Sequence, residues 1–335
     1  MDPRRYFLRP FEEGDYEAVA HIETKTNPEF PSNPDWARRW DRLLDAQHFV
    51  HEEWVVQERD TSEVVAAASI YHTPYSYDAH RFWASVVVDP GHLHRGIGRA
   101  LAALLDAEAV AHRATCYWTN ARKDDPRALQ FAARQGFTEL RTSWMSILDL
   151  SATAPTSGTE LSDRLEGEGF RFSTLAREGA SRAEVRQRLY DVDADSSRDA
   201  PRMGEFTPIP FAQFSAELDE PTIIPEAFFL AAHGDSYAAS SHLERDLGSP
   251  DTLIVGYTGT RKEYRGRGLA TELKRRSIEY ARANGFRFLR TFNDSLNPPI
   301  WAINQKLGFR RVVEWSNQQR LFRSESTPGN PSPPP

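Results

Sequence analysis

Between Thr258 and Ala270 the chain reads TGTRKEYRGRGLA, a strand-like stretch that runs through glycines into a helix-forming sequence. A strand, a small-residue turn and a helix start leave free backbone N–H groups at the positive end of a helix dipole, which is a seat for an anion. Gly266, Gly268 and Ala270 let a diphosphate approach the main chain unobstructed, and Arg265 and Arg267 add positive charge. Two common phosphate motifs are missing. No Gly-Lys-Ser/Thr follows four spacers, and no third glycine with an acidic residue ~20 positions on completes a dinucleotide fingerprint. A tight turn closing a strand onto a helix is the competing explanation.

The same turn recurs. Arg95–Leu101 reads RGIGRAL beside RGLATEL at Arg267–Leu273, and the RQGF ending at Phe137 matches the KLGF ending at Phe309. Gly96 and Gly268 lie 172 positions apart, and so do Gly136 and Gly308. Two independent pairs with one offset indicate a duplicated fold unit. The first copy departs from the second where Leu93 and His94 stand in place of Arg265 and Gly266, although Arg95, Gly96 and Gly98 retain the turn.

The elements needed to position these turns repeat as well. In the first copy, strands are expected at 6–10, 54–58, 64–71, 82–88 and 114–119, with more strand around 138–148. Helices are expected after Asp15, from the glycines to about His112, and over 126–134. The second copy gives strands at 170–175, 252–258, 287–292 and 310–322, a hairpin over 228–241 turning at Gly234-Asp235, and helices near Ser181, over 268–284 and over 298–307. Mixed strands and helices used twice make an α/β fold. SATAPTSGT at 151–159 reads as a linker and STPGNPSPPP at 326–335 as a tail poor in apolar side chains. The expected division is therefore 1–150, linker 151–159, 160–325 and tail 326–335.

Composition narrows the partners. In 335 residues, 41 Lys and Arg against 48 Asp and Glu give a net charge of −7, which argues against nucleic acid or an anionic membrane and mildly favours a cationic ligand. One cysteine, Cys116, excludes an intrachain disulfide framework and a multi-cysteine zinc site. With no run near the ~20 apolar residues of a membrane span and no signal-peptide pattern, a cytoplasmic protein is expected.

The segment RGRGLA at 265–270 fits the R/Q-x-x-G-x-G/A acyl-CoA motif, and the chain resembles a tandem member of the GNAT superfamily of N-acetyltransferases. The resemblance extends over nearly all of 6–150 and 170–322. It implies two GNAT-like domains, each a mixed, mostly antiparallel central sheet flanked by helices and splayed between its fourth and fifth strands, with acetyl-CoA in the notch. It further implies direct acetyl transfer to the amine of a small molecule in a ternary complex. Thr258, Gly259 and Thr260 would then pair with the pantetheine arm. Arg265 to Ala270, Leu269 included, would seat the diphosphate, and Asn293 and Asn297 would assist. The second half is expected to carry the chemistry, with the seat at Arg95, Gly96 and Gly98 weaker.

Many members of the superfamily carry a tyrosine four residues before the glycine of the Gly-Phe helix end, as proton donor to the departing sulfur. Here those positions are Asn304 and Ala132. Asn304 as a hydrogen-bond donor to the thiolate, or Tyr257 or Tyr264 as a substitute acid, are the alternatives, and Asp251, Glu314 and Tyr257 are the open choices for a base. A non-catalytic acyl-CoA-binding protein and a transferase acting on a protein amine are the rival functions. No metal is expected: His92 and His94 have a ligand-like spacing but no accompanying carboxylate or thiolate pattern.

Overall fold

The computed structural model describes residues 1–46, 49–153 and 159–322. The first half runs β1 (Tyr6–Pro10), α1 (Tyr16–Thr26), α2 (Pro34–Ala46), β2 (His51–Glu58), β3 (Val64–Tyr71), β4 (Arg81–Val88), α3 (Ile97–Ala111), β5 (Cys116–Arg122), α4 (Pro126–Arg134) and β6 (Thr138–Asp149). The second follows as α5 (Glu160–Gly167), β7 (Phe170–Thr174), α6 (Leu175–Glu178), α7 (Ala183–Ser197), α8 (Phe211–Glu217), β8 (Ile223–His233), β9 (Ser236–Arg245), β10 (Thr252–Thr260), α9 (Leu269–Ala283), β11 (Phe288–Asp294), α10 (Pro298–Lys306) and β12 (Arg310–Leu321). The linker residues 154–158 and the tail 326–335 lie outside the described residues.

Each half is mixed and mostly antiparallel, as the sequence suggests, but the two sheets are joined. The order is β1-β2-β3-β4-β5-β12-β6-β11-β10-β9-β8-β7. β12, last in the chain, lies antiparallel to β5 of the first half, while β6 lies antiparallel to β11 of the second. The halves thus exchange their final strands, and β6 and β12 pair with each other at the centre. The cores follow the exchange. Leu148 and Leu150, from the first half of the chain, sit in the second half's core, and Phe322 packs on the first.

Helix α3 shows why the glycine turn is held in place. Ile97, Leu101, Leu105 and Ala109 recur every four residues, all are buried, and they lock the helix onto β3 and β4 with its N-terminus at the sheet's edge. In α9, Leu269 and Leu273 do the same. Helix α2 was not expected from the sequence, yet its start is marked: Pro34 follows Asn33, whose Oδ1 accepts from the Asp35 N–H at 2.8 Å.

The notch forms in both halves. β4 and β5 run parallel for only three pairs, Arg81–Trp83 with Cys116–Trp118, and then part. β10 and β11 pair over Thr252–Ile254 with Phe288–Arg290 and part likewise. Beyond these pairs the facing edges of β4 and β10 have no strand partner among the described residues, which leaves room for an extended ligand.

Candidate active site

Both glycine turns take one conformation. Gly96 (φ +77°) and Gly268 (φ +100°) precede their helices in the left-handed region, and so, two residues earlier, do His94 (φ +62°) and Gly266 (φ +77°). A histidine there costs about 1–2 kcal/mol where glycine costs little. The first half bears that strain and keeps the turn.

What adjoins each turn differs. A cavity of about 1250 Å³ opens beside the first-half turn, along Val86–Val88 of β4 and the first turn of α4. It reaches the α1–α2 loop and, across the exchanged strands, Glu244, Phe292 and Trp315 of the second half. A side pocket of about 110 Å³ shares its Val86, Asn120 and Phe131 walls and is bounded by Ala102, Ala121 and Ala132.

Moving each of these alanines by 172 positions gives Lys274, Asn293 and Asn304. All three are buried, with exposures of 3%, 5% and 0%. Asn304 Nδ2 donates to Asn293 Oδ1 at 2.6 Å, and Asn293 Nδ2 donates to Ser146 Oγ at 2.9 Å on the exchanged β6. The Lys274 ammonium lies 5.9 Å from the Phe309 ring centre, and burial pushes its pKa down to about 7. Three long polar side chains thus occupy the second half where three alanines leave a pocket in the first.

The opposite face of the second notch is packed too. Gly259 lies so close to α7 that a Cβ would stand 2.1 Å from Ser196 Oγ. Thr258 Oγ1 is 2.8 Å from Ser241 Oγ, and the Thr260 carbonyl accepts from Arg265 Nε at 3.0 Å. Arg265 is paired with Asp199 at 2.7 Å and Arg267 with Glu168 at 3.3 Å. Leu269 is a core residue, Ala270 is partly buried in the first turn of α9, and Asn297 caps α10 through Ile300 N at 3.4 Å. Its counterpart Asp125 caps α4.

The expected catalytic residues are placed differently from one another. Asn304 is fully buried, its Nδ2 donating to Asn293 while its Oδ1 has no partner among the described residues. Tyr257 lies where the β10–β9 register jumps between Val255 and Thr258, beside Ser196 and Ser197, and burial raises its phenol pKa. Such a bulge leaves an extra residue unpaired. Among the other candidates, Glu314 is tied to Arg311 at 2.9 Å. Cys116 is buried, its thiol pushed up to about 11 by burial. Among the described residues, neither group with metal-like spacing includes His92 or His94.

In the first half, Arg95 bonds Tyr6 Oη at 2.7 Å and the Gly91 carbonyl, and exposed Arg99 in the first turn of α3 meets no carboxylate among the described residues. Sequence reasoning did not single out Arg99, Phe131 or the α1–α2 loop. The offset of 172 already in hand would have flagged the three alanines. The loop is held to the second half by Arg290, which is buried, forms an ion pair with Asp246 and donates to the Glu29 carbonyl at 3.1 Å. Burial works against both charges, and each partly offsets it for the other.

The model of the Acetyltransferase (GNAT) family matches residues 16–137 and again 190–309. The chain belongs to this family. It is an acyltransferase built of two GNAT units. Among curated relatives it is 25% identical over 228 residues to a mycothiol acetyltransferase of Clavibacter michiganensis, covering 68% of each chain. It is 27% identical over 242 residues to one from Nocardiopsis dassonvillei, covering 67% of this chain and 70% of that one. A GCN5-related N-acetyltransferase from Sphaerobacter thermophilus shares the fold at a TM-score of 0.71 and 18% identity, covering 96% of this chain and 97% of that one. A tandem GNAT protein from the clavulanic acid biosynthesis pathway shares it at 0.70 and 20%, over 96% and 100%. Among the described residues, no helix is long and apolar enough to cross a membrane.

Proposed function

We propose that this GNAT protein transfers an acetyl group from acetyl-CoA to the primary amine of a small molecule, in the cavity of the first half, in the cytoplasm. The observation that carries this reading is the continuity of one cavity from the glycine turn, along the unpaired edge of β4, to the α1–α2 loop. The N–H groups of the turn and Arg99 would hold the diphosphate. Val86–Val88 would pair with the amide-bearing arm as an added strand does, directing a main-chain N–H toward the thioester carbonyl. The walls beyond, Phe30, Phe292 and Trp315 among them, would enclose the acceptor and exclude water. The relatives' mycothiol-based name agrees with a small-molecule amine.

One observation favours the second half instead: the full motif at Arg265–Ala270 together with the bulge at Gly256–Tyr257. A matched pair of substitutions distinguishes the halves. Gly98 and Ala270 correspond, both in the first turn of their helices, so Gly98→Asp and Ala270→Asp each put a carboxylate beside one turn. With acetyl-CoA in a calorimeter, Gly98→Asp is expected to weaken binding at least about a hundredfold and Ala270→Asp less than about twofold. The reverse pattern assigns the chemistry to the second half. Binding without amine-stimulated thiol release by the wild type would sink the transferase reading and leave an acyl-CoA-binding protein.

A further inference from the structure

The acceptor end of the cavity contains a carboxylate without a counter-ion. Glu23 of α1 lines it, bonded among the described residues only to the Ser32 hydroxyl, which donates at 2.6 Å. Nearby cations are committed elsewhere: Lys25 to Asp89 at 2.7 Å, Arg39 to Glu220 at 2.9 Å, and Arg122 to Glu29 at 2.6 Å and Asp124 at 2.7 Å. Asn27, in the same wall, has a buried side-chain oxygen with no partner. The wall therefore offers a bare carboxylate, which a cation carrying N–H groups would satisfy, and behind it lies an unpaired acceptor oxygen.

We propose that Glu23 receives the amine of the acceptor, binding it as an ammonium ion and then taking the proton that must leave before nitrogen can attack. This rests on the transferase reading above and names the charge of its acceptor. The steps balance. Glu23 takes one proton from R–NH3+, and the freed lone pair forms the C–N bond at the thioester carbonyl. The C–S bond then breaks, its electrons leave on the thiolate, and the second nitrogen proton neutralises that sulfur, directly or through water.

The surroundings of Glu23 favour its protonated form, as a group that takes up a proton requires. Burial raises its affinity for a proton, the Ser32 hydroxyl opposes this, and Glu53 of β2 and Asp41 of α2 raise it further by repulsion. Tyr71 of β3 is the other titratable group whose environment includes Glu23. Behind them His51 Nε2 stands 3.5 Å from both Asp41 and Glu53, and Tyr16 Oη donates to Asp41 at 2.5 Å. A proton taken at Glu23 thus borders a polar cluster that can accommodate it.

The test uses the full chain, acetyl-CoA and a panel of primary amines of differing charge. For Glu23→Gln we expect kcat/KM at pH 7 to fall at least about a hundredfold and the acid limb of its pH profile to disappear. Calorimetric affinity for acetyl-CoA should change less than about twofold, and binding of the best amine should be lost. Ser32→Ala removes the hydrogen bond that stabilises the charged carboxylate, so its acid limb should move to higher pH. Glu23→Asp should retain a limb at reduced rate, and these two variants carry the test if Glu23→Gln does not fold. An active wild type whose rate and profile Glu23→Gln reproduces, or a Ser32→Ala profile that superimposes on wild type, overturns the proposal alone. A wild type that binds acetyl-CoA yet acetylates no amine overturns the transferase reading and the proposal with it.

Discussion

Asn304 and Asn293 hydrogen-bond to each other at 2.6 Å, inside the second half, in the positions that Ala132 and Ala121 hold in the first. The pair bridges α10 and β11, and Ser146 extends it to the exchanged strand β6. Asn304 Nδ2 satisfies Asn293 Oδ1, and removing Asn304 leaves that buried oxygen without a donor. Asn304 is part of the packing here.

Asn304→Ala should therefore act on stability. Stranding the Asn293 side chain and opening a small void should lower unfolding free energy by about 1–3 kcal/mol in urea titrations. Acetyl transfer at a temperature where the variant remains folded should stay within about twofold of wild type. A tenfold or greater loss of turnover in a fully folded variant would instead return Asn304 to the chemistry.

Most of the architecture was legible from the chain because duplication prints itself twice. The shared spacing of Gly96, Gly136, Gly268 and Gly308 gave the repeat, and β-branched and apolar runs gave most of the strands. Strand exchange was not legible, since β6 and β12 have the same apolar alternation whichever half they join. The turn motif does not report how the side chains around each notch are packed. Leu93 and His94 weaken the pattern without closing the cavity, while Lys274, Asn293 and Asn304, far from the glycines in sequence, fill the counterpart pocket. Pocket volume is a property of facing side chains, and only an alignment of the chain against itself brings those together.

Lys274 makes stability depend on pH in a definite direction. Its pKa in the folded protein is pushed down to about 7 by burial, below the ordinary lysine value it regains on unfolding. Between those two values the unfolded chain binds a proton that the folded chain does not, so stability is lower there at the acid end and rises with pH. The slope is at most about 1.4 kcal/mol per pH unit. Below pH 7 both states are protonated and this contribution levels off at its least favourable. Lys274→Met, similar in length and without charge, should be more stable than wild type at pH 7 and should lack the rise toward pH 10. Parallel stability curves for the two proteins would show that the ammonium is not buried as described.

The exchanged strands bear on cooperativity. Each half takes its neighbour to the fifth strand from the other half, so neither sheet is complete alone: β5 needs β12, and β11 needs β6. A fragment ending at residue 153 would expose the outer edge of β5 and leave Leu148 and Leu150 without the second-half core they fill. Expressed singly, residues 1–153 and 159–335 should aggregate or remain unfolded, whereas the two expressed together should co-purify as one complex that binds acetyl-CoA. The intact chain should melt in a single calorimetric transition whose van't Hoff and calorimetric enthalpies agree. Two separated transitions, or a first-half fragment that folds alone and binds acetyl-CoA with wild-type affinity, would mean that the exchange contributes little to holding the halves together. The acceptor end of the cavity is then the part most sensitive to the result, because Phe292 and Trp315 reach it only across the exchanged strands.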